Sequence, residues 1–406
     1  MNQAEIIDLE ELLDGQPVCQ VILSNPNAKI SLISFGATLQ SFEIDLSGFP
    51  KRDVVLGYQD WKTYRRTFEF TTNAYMGHIV GPIAGRLGRA SIPWKDGSWS
   101  FEPNEGLNLL HGGRNCYSNH NWKVKSIAQA PYPSVTFELE EKEKFNLPGR
   151  LNCQVTYTLM EMEVQIQIET IALEDTIANP TQHGYFNPNG HQGSVLDVQT
   201  FLFTEKYLEL NREKLPSGVL LKTSKNRGPN EPLLLAEFDQ YPHVDTAYIL
   251  NKKKHQAQLI AADGFQLQFS TNQPIFQVYI GGEVAFQGKE GQAYHRYSGI
   301  CLEQQAEPDA PNHSNFSDIY LSKGQSKINL LTIQFEQRPS NSTCSFYSSQ
   351  HCLYSLAKKN QSPNRQHHPR QQLSSMEQTS VGLPKWKLPV MSFTMKTGCL
   401  LIASTY

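Results

Sequence analysis

Most of the signatures that announce a chemistry are missing from this 406-residue chain. It has no Cys-x-x-Cys, and its seven cysteines (Cys19, Cys116, Cys153, Cys301, Cys344, Cys352, Cys399) are odd in number. They read as reduced thiols, not as a disulfide framework. No His-Glu-x-x-His or paired His-x-His offers metal-ligand spacing, which sets a metal site aside. No Gly-x-Ser-x-Gly elbow and no local cysteine-nucleophile signature is present, which argues against a covalent hydrolase. The glycine-rich GHIVGPIAGRLG at 77–88 lacks the Gly-Lys-Ser/Thr and the βαβ setting of a phosphate loop. It imitates a membrane small-xxx-small pattern, but it is short, holds Arg86 and is followed at once by Arg89. No apolar run approaches the ~20 residues that span a bilayer. The opening MNQAEIIDLEELLDG is acidic and has no positive n-region, so no secretory leader and a cytoplasmic location are expected. The Asn-x-Ser/Thr sequons at Asn312, Asn315, Asn341 and Asn360 are then chance matches. With 36 Lys+Arg against 39 Asp+Glu, the net charge of −3 asks for neither nucleic acid nor an anionic membrane.

What is abundant is period-two alternation. SVTFELE sets Val135, Phe137 and Leu139 on one face and Thr136, Glu138 and Glu140 on the other. VQIQIE (164–169) and FQLQFS (265–270) repeat the pattern. KINLLTIQF (327–335) is mostly apolar, as expected of a strand buried on both sides. Asp96-Gly97, Asn189-Gly190 and Asp263-Gly264 supply turns. NEPLLLAEF near 230–238 is at most a short helix. Many strands and few helices predict an all-β fold, a large antiparallel sandwich or barrel over residues 1–338. From 339 to 406 the texture turns to Ser, Gln, Asn and basic residues without alternation, with seven Lys/Arg and one Asp/Glu after residue 340. That composition buries too little apolar surface to offset its ordering entropy, so a disordered tail outside the fold is expected.

One stretch points to chemistry. SGICLEQQAEPDAPNH, residues 298–313, ends an apolar run on a carboxylate, Glu303, and turns at once. A carboxylate at the end of a buried strand is costly unless paired, hydrogen-bonded or used, which makes Glu303 a candidate general base. His111 in NLLHGG and His183 in NPTQHGYFNPNG lie in polar, glycine-rich settings where the backbone can pass close to a ligand. A lone histidine is more often a hydrogen-bonded structural residue. His243 in YPHVDTAYIL keeps that reading, because Asp245 heads the apolar run better. Glycine spacing lets Arg86 project into a cleft, where its fork suits vicinal hydroxyls or a carboxylate. A carboxylate, two histidines, an arginine and an aspartate suit proton transfer on a neutral polar substrate, and equally a binding-only protein.

Nine motifs occur together and in order: FGATLQSFEI (35–44), DVVLGY (53–58), GPIAGRLG (81–88), LHGG (110–113), HGYFN (183–187), LPSG (215–218), VDTAYIL (244–250), FQVYIGG (276–282) and SGICLEQQAEPDAPNH. The set resembles the aldose 1-epimerases, or galactose mutarotases, from near the N-terminus to about residue 337. The resemblance implies a large antiparallel β-sandwich of the galactose mutarotase type and cofactor-free interconversion of the α- and β-anomers of free aldohexoses. By position, Glu303 resembles the base that removes the C1 hydroxyl proton and His183 the acid that protonates the ring oxygen. His111 resembles a second histidine at the sugar's reactive edge, and Arg86, Asp245 and Gln277 the residues that hold hydroxyls. No metal and no cofactor is expected, and the partner is a free monosaccharide taken by a monomer or weak homodimer. The chain has Gly81-Pro82 where the family usually carries Gly-Arg, Gly85 where Asn often precedes the arginine, and Gln182 where Asn commonly precedes the histidine. These departures touch the sugar-binding rim and not the proposed catalytic groups. A hexose-6-phosphate epimerase, which would need a basic cluster, and a catalytically silent sugar-binding sandwich are the alternatives.

Overall fold

The computed structural model describes residues 2–338 apart from 14, 70–72, 141–144, 224–230, 238–240, 242 and 243. His243 and the segment 339–406 lie outside the described residues. Strands dominate, in antiparallel sheets of five, nine and six strands with several two-stranded ribbons. The one α-helix among the described residues, Trp61–Arg66, is capped by Asp60, whose side chain accepts from the Thr63 N–H.

The alternating segments are strands as expected. In Glu163–Ala172 every second residue is buried, with Val164, Ile166 and Ile168 facing inward. The strand pairs with Leu151–Leu159 on one side and Ser326–Gln337 on the other. Two strands differ from their expected exposure. Ser326–Gln337 is not buried on both faces: Leu331, Ile333 and Phe335 point into the core, while Ile328 is exposed. Its outer face is only thinly covered. Phe265–Thr271 is instead buried on both faces, and its two inner glutamines, Gln266 and Gln268, donate to the Glu336 carboxylate of the paired strand. The polar side of its alternation meets a polar partner, not water. Asp96-Gly97 and Asp263-Gly264 lie between paired strands, as their turn chemistry predicts. The 230–238 stretch gives a short strand, Leu233–Leu234, and a single 3₁₀ turn, Leu235–Glu237.

The six-stranded sheet, ordered Tyr185–Phe186, Ile300–Gln305, Ile275–Tyr279, Asp245–Leu250, Thr204–Leu210 and Pro216–Lys222, carries the polar residues of interest. Register opposes Glu303 to Gln277 and Cys301 to both Tyr279 and Tyr185. Side chains of alternate residues share a face, so Cys301 and Glu303 point the same way. At a corner of the fold, Asp53 and Lys289 form a buried ion pair at 2.6 Å; the ammonium also donates to the carbonyls of Gln40 and Val55.

Candidate active site

Above this sheet lies a cleft of about 680 Å³ whose walls include Arg86, His111, His183, Asp245 and Glu303. Five of the six residues singled out from the sequence therefore meet in one place, although they span more than 200 positions of the chain. The sixth, Gln277, stands behind the wall, where its amide donates to Asp245 Oδ1 at 2.9 Å. It steadies the Asp245 carboxylate and is not among the residues that line the cleft.

Glu303 is 3% exposed, and its Oε2 has no hydrogen-bond partner among the described residues. Burial, reinforced by Asp245 and opposed by Arg86, pushes its carboxyl up to about 8. His183 Nε2 lies 3.5 Å from Glu303 Oε1, and His183 is buried as well, which pushes its imidazole down to about 4. The histidine is held through its backbone: its N–H donates to the His78 carbonyl and its own carbonyl accepts from the Gly77 N–H. Gln182 ties down the same turn, accepting from the Gly184 N–H and donating to the Gly77 carbonyl.

His111 is set differently. Gly85, at φ +72°, turns its N–H onto His111 Nδ1 at 3.2 Å, and the His111 N–H returns to the Gly85 carbonyl at 3.0 Å. A side chain at that left-handed φ would be strained, so glycine suits the position. Because Nδ1 accepts, the neutral ring carries its proton on Nε2, and burial keeps the ring neutral. The Tyr75 ring packs on His111 at 4.8 Å and on His183 at 6.1 Å, closing one wall.

Ligand atoms of His111, His183 and Glu303 lie within 4.8 Å of one another, an arrangement that can hold a metal ion. The donor chemistry does not fit one. A metal ligand must present a lone pair, and the Gly85 N–H occupies the lone pair of His111 and leaves an N–H at Nε2.

Arg86 is gripped by Glu105 through two hydrogen bonds, Nε to Oε2 at 2.6 Å and Nη2 to Oε1 at 2.8 Å, which leaves Nη1 4.0 Å from Asp245. Lys214 Nζ meets Asp245 Oδ2 at 3.0 Å. The QQAEPDAPNH turn supports this side from behind: Asp309 accepts from the Gly88 N–H, its own N–H donates to the Arg86 carbonyl, and Asn312 donates to the Ser91 carbonyl. Glu105, Lys214, Tyr75 and Cys301 were not singled out from the sequence. The first two sit in turns without a motif of their own, and only the position of Lys214 just before LPSG marked its neighbourhood.

Residues 20–334 match the family model described as aldose 1-epimerase. The galactose mutarotase of Sus scrofa is 28% identical over 316 residues, covering 75% of this chain and 90% of that protein. The aldose 1-epimerase of Streptococcus thermophilus is 27% identical over 337 residues, covering 77% and 93%. Among solved structures, an aldose epimerase homologue from C. elegans superposes with a TM-score of 0.71 at 22% identity, over 79% of this chain and 99% of that one. The galactose 1-epimerase of Lactobacillus acidophilus gives the same TM-score at 21% identity, over 83% and 99%. These structures share the strand-rich architecture described above. The chain belongs to the aldose 1-epimerase family.

Proposed function

We propose that Glu303 and His183 are the base and the acid with which this aldose 1-epimerase interconverts the anomers of a free, neutral aldohexose such as galactose or glucose. The observation that carries the reading is the buried pair itself, a carboxylate and an imidazole 3.5 Å apart at the floor of a sugar-sized cleft. Ring opening removes the proton from the C1 hydroxyl and delivers one to the ring oxygen. Glu303 takes the first and His183 gives the second, which leaves a free aldehyde, a carboxylic acid and a neutral imidazole. Rotation about C1–C2 and the same transfers in reverse close the ring on the other face. Each positioned acid or base contributes about 10²–10⁴-fold to such a step.

Burial favours the products of this exchange. A dry site prefers a neutral acid and neutral imidazole to an ion pair, in line with the raised Glu303 and the lowered His183. The site therefore rests as acid and neutral imidazole; the proton passes from Glu303 to His183 across their 3.5 Å contact to form the reactive pair, and ring opening restores the resting charge state. His111, fixed as an N–H donor, supplies a hydrogen bond to a sugar oxygen. Arg86 and Asp245 hold hydroxyls, with Glu105, Gln277 and Lys214 behind them.

The charges disfavour a hexose phosphate. The cationic wall residues are Arg86, Arg114 and Lys214, against Glu69, Glu105, Asp245, Glu283 and Glu303. Two of the three cations are committed, Arg86 to Glu105 and Lys214 to Asp245. Polarimetry of freshly dissolved α-D-galactose, with glucose and glucose 6-phosphate in parallel, tests both points. Wild type is expected to turn over the free sugars and not the phosphate, and Glu303→Gln to lose nearly all activity. A variant at the wild-type rate would remove Glu303 from the role of base.

A further inference from the structure

Cys301 is fully buried two residues before Glu303, on the same face of the same strand. Its Sγ lies 3.7 Å from His183 Nδ1 and is the hydrogen-bonding partner of that nitrogen. Since His183 Nε2 faces Glu303, the imidazole is strung between a thiol and a carboxyl. Tyr185, paired in register with Cys301, sets its hydroxyl against the same sulfur.

We propose that Cys301 is a positioning residue for the acid: its sulfur accepts the Nδ1–H of His183, aiming Nε2 at the substrate while offering the ring no charge. The proposal rests on the assignment of His183 as acid. In that role Nε2 is protonated before ring opening and bare after it, while Nδ1 keeps its proton throughout. The partner of Nδ1 must then be an acceptor in both states. A thiol sulfur is a weak and uncharged one, and burial holds this thiol far above its ordinary range, so it stays neutral. A carboxylate in the same place would stabilise the imidazolium and turn the histidine toward base chemistry. The other titratable groups around the ring are His78, His111, Tyr75, Tyr185, Asp245 and Glu303; none of them hydrogen-bonds Nδ1 among the described residues.

The test combines Cys301→Ala and Cys301→Ser with ¹⁵N NMR of histidine-labelled wild-type protein. Cys301→Ala is expected to lower kcat on galactose about tenfold at unchanged KM, less than the 10²–10⁴-fold owed to the acid itself. Cys301→Ser, whose hydroxyl is the stronger acceptor, is expected to recover most of kcat and to move the acidic limb of the pH profile upward. The wild-type spectrum should place a proton on Nδ1 of neutral His183. Wild-type kcat in Cys301→Ala, an unmoved limb in Cys301→Ser, or a bare Nδ1 would overturn the proposal. If Cys301→Ala does not fold, the serine variant and the spectrum decide. A wild-type protein inactive on every free hexose would instead refute the functional reading, and the spectrum would still report the hydrogen bond.

Discussion

A carboxyl kept protonated by burial, as Glu303's is, should cost the fold stability, and Glu303→Gln measures how much. The carboxyl stands at about 8 in the folded chain against an ordinary 4.5. Between those values the folded state holds a proton that the unfolded state releases. Stability is therefore fully present below about pH 4.5 and falls as pH rises toward 8. At about 1.4 kcal/mol per pKa unit, the loss is on the order of 3 kcal/mol at neutral pH and on the order of 5 kcal/mol above pH 8. Glutamine removes this term. It also places an amide where Oε2 already lacks a partner, at a cost of about 1–2 kcal/mol at all pH values. The variant should then melt above wild type by roughly 7 °C at alkaline pH, taking about 2 °C per kcal/mol for a fold of this size. The gap should close or reverse near pH 4.5. Scanning calorimetry of both proteins in matched buffers, at one scan rate, gives the difference curve directly, because other titrations cancel in it. A flat difference, or a wild type that gains on the variant as pH rises, would refute the desolvated carboxyl.

Three further outcomes follow from the same geometry. The pH profile of mutarotation should be a bell, with an acidic limb where His183 gains a second proton near 4 and an alkaline limb where Glu303 ionises near 8; a profile flat through both regions would exclude the pair. Glu105→Gln loosens the bidentate grip on Arg86 and should raise KM about tenfold with kcat nearly unchanged. Because the Glu105 side chain is 38% exposed, its stability cost should stay within about 1 kcal/mol, readable in the same calorimetry. Deleting residues 341–406 should leave kcat and KM for galactose unchanged; an insoluble or inactive truncation would assign that segment to the working protein.

The fold was legible in the chain because period-two patterning is a local signal. Val164, Ile166 and Ile168 could be assigned to the core without a partner strand in view. What the pattern could not convey was the covering of each sheet face. Ser326–Gln337 and Phe265–Thr271 exchanged their expected exposures because that depends on what lies across the sheet. The site was legible in the same partial way. A carboxylate ending an apolar strand is conspicuous, and glycines beside His111, His183 and Arg86 mark close approach. The hydrogen bond from Gln277 to Asp245 was beyond the sequence, because it joins neighbouring strands 32 residues apart. Glu105 and Lys214 escaped notice because an ion pair between remote turns leaves no trace in local sequence.

The two histidines of the cleft illustrate what only the structure supplies. In the sequence His111 and His183 look alike, each beside glycine in a polar setting. Both are buried and both are held neutral by desolvation. Their difference lies at Nδ1. For His111 that nitrogen faces a backbone N–H, which can only donate, so Nε2 is locked as a donor and the ring cannot accept a proton without breaking the contact. For His183 it faces a thiol, which can accept, so Nε2 is free to cycle between protonated and bare. In the proposed mechanism, two imidazoles with nearly the same surroundings differ in work by one atom each, the first hydrogen-bonding a sugar oxygen and the second exchanging a proton with it. His111→Gln, which keeps an N–H donor but no titratable ring, should for that reason retain far more activity than His183→Gln. Equal losses in the two variants, measured by polarimetry on galactose with sugar binding followed by calorimetry, would refute the division of roles.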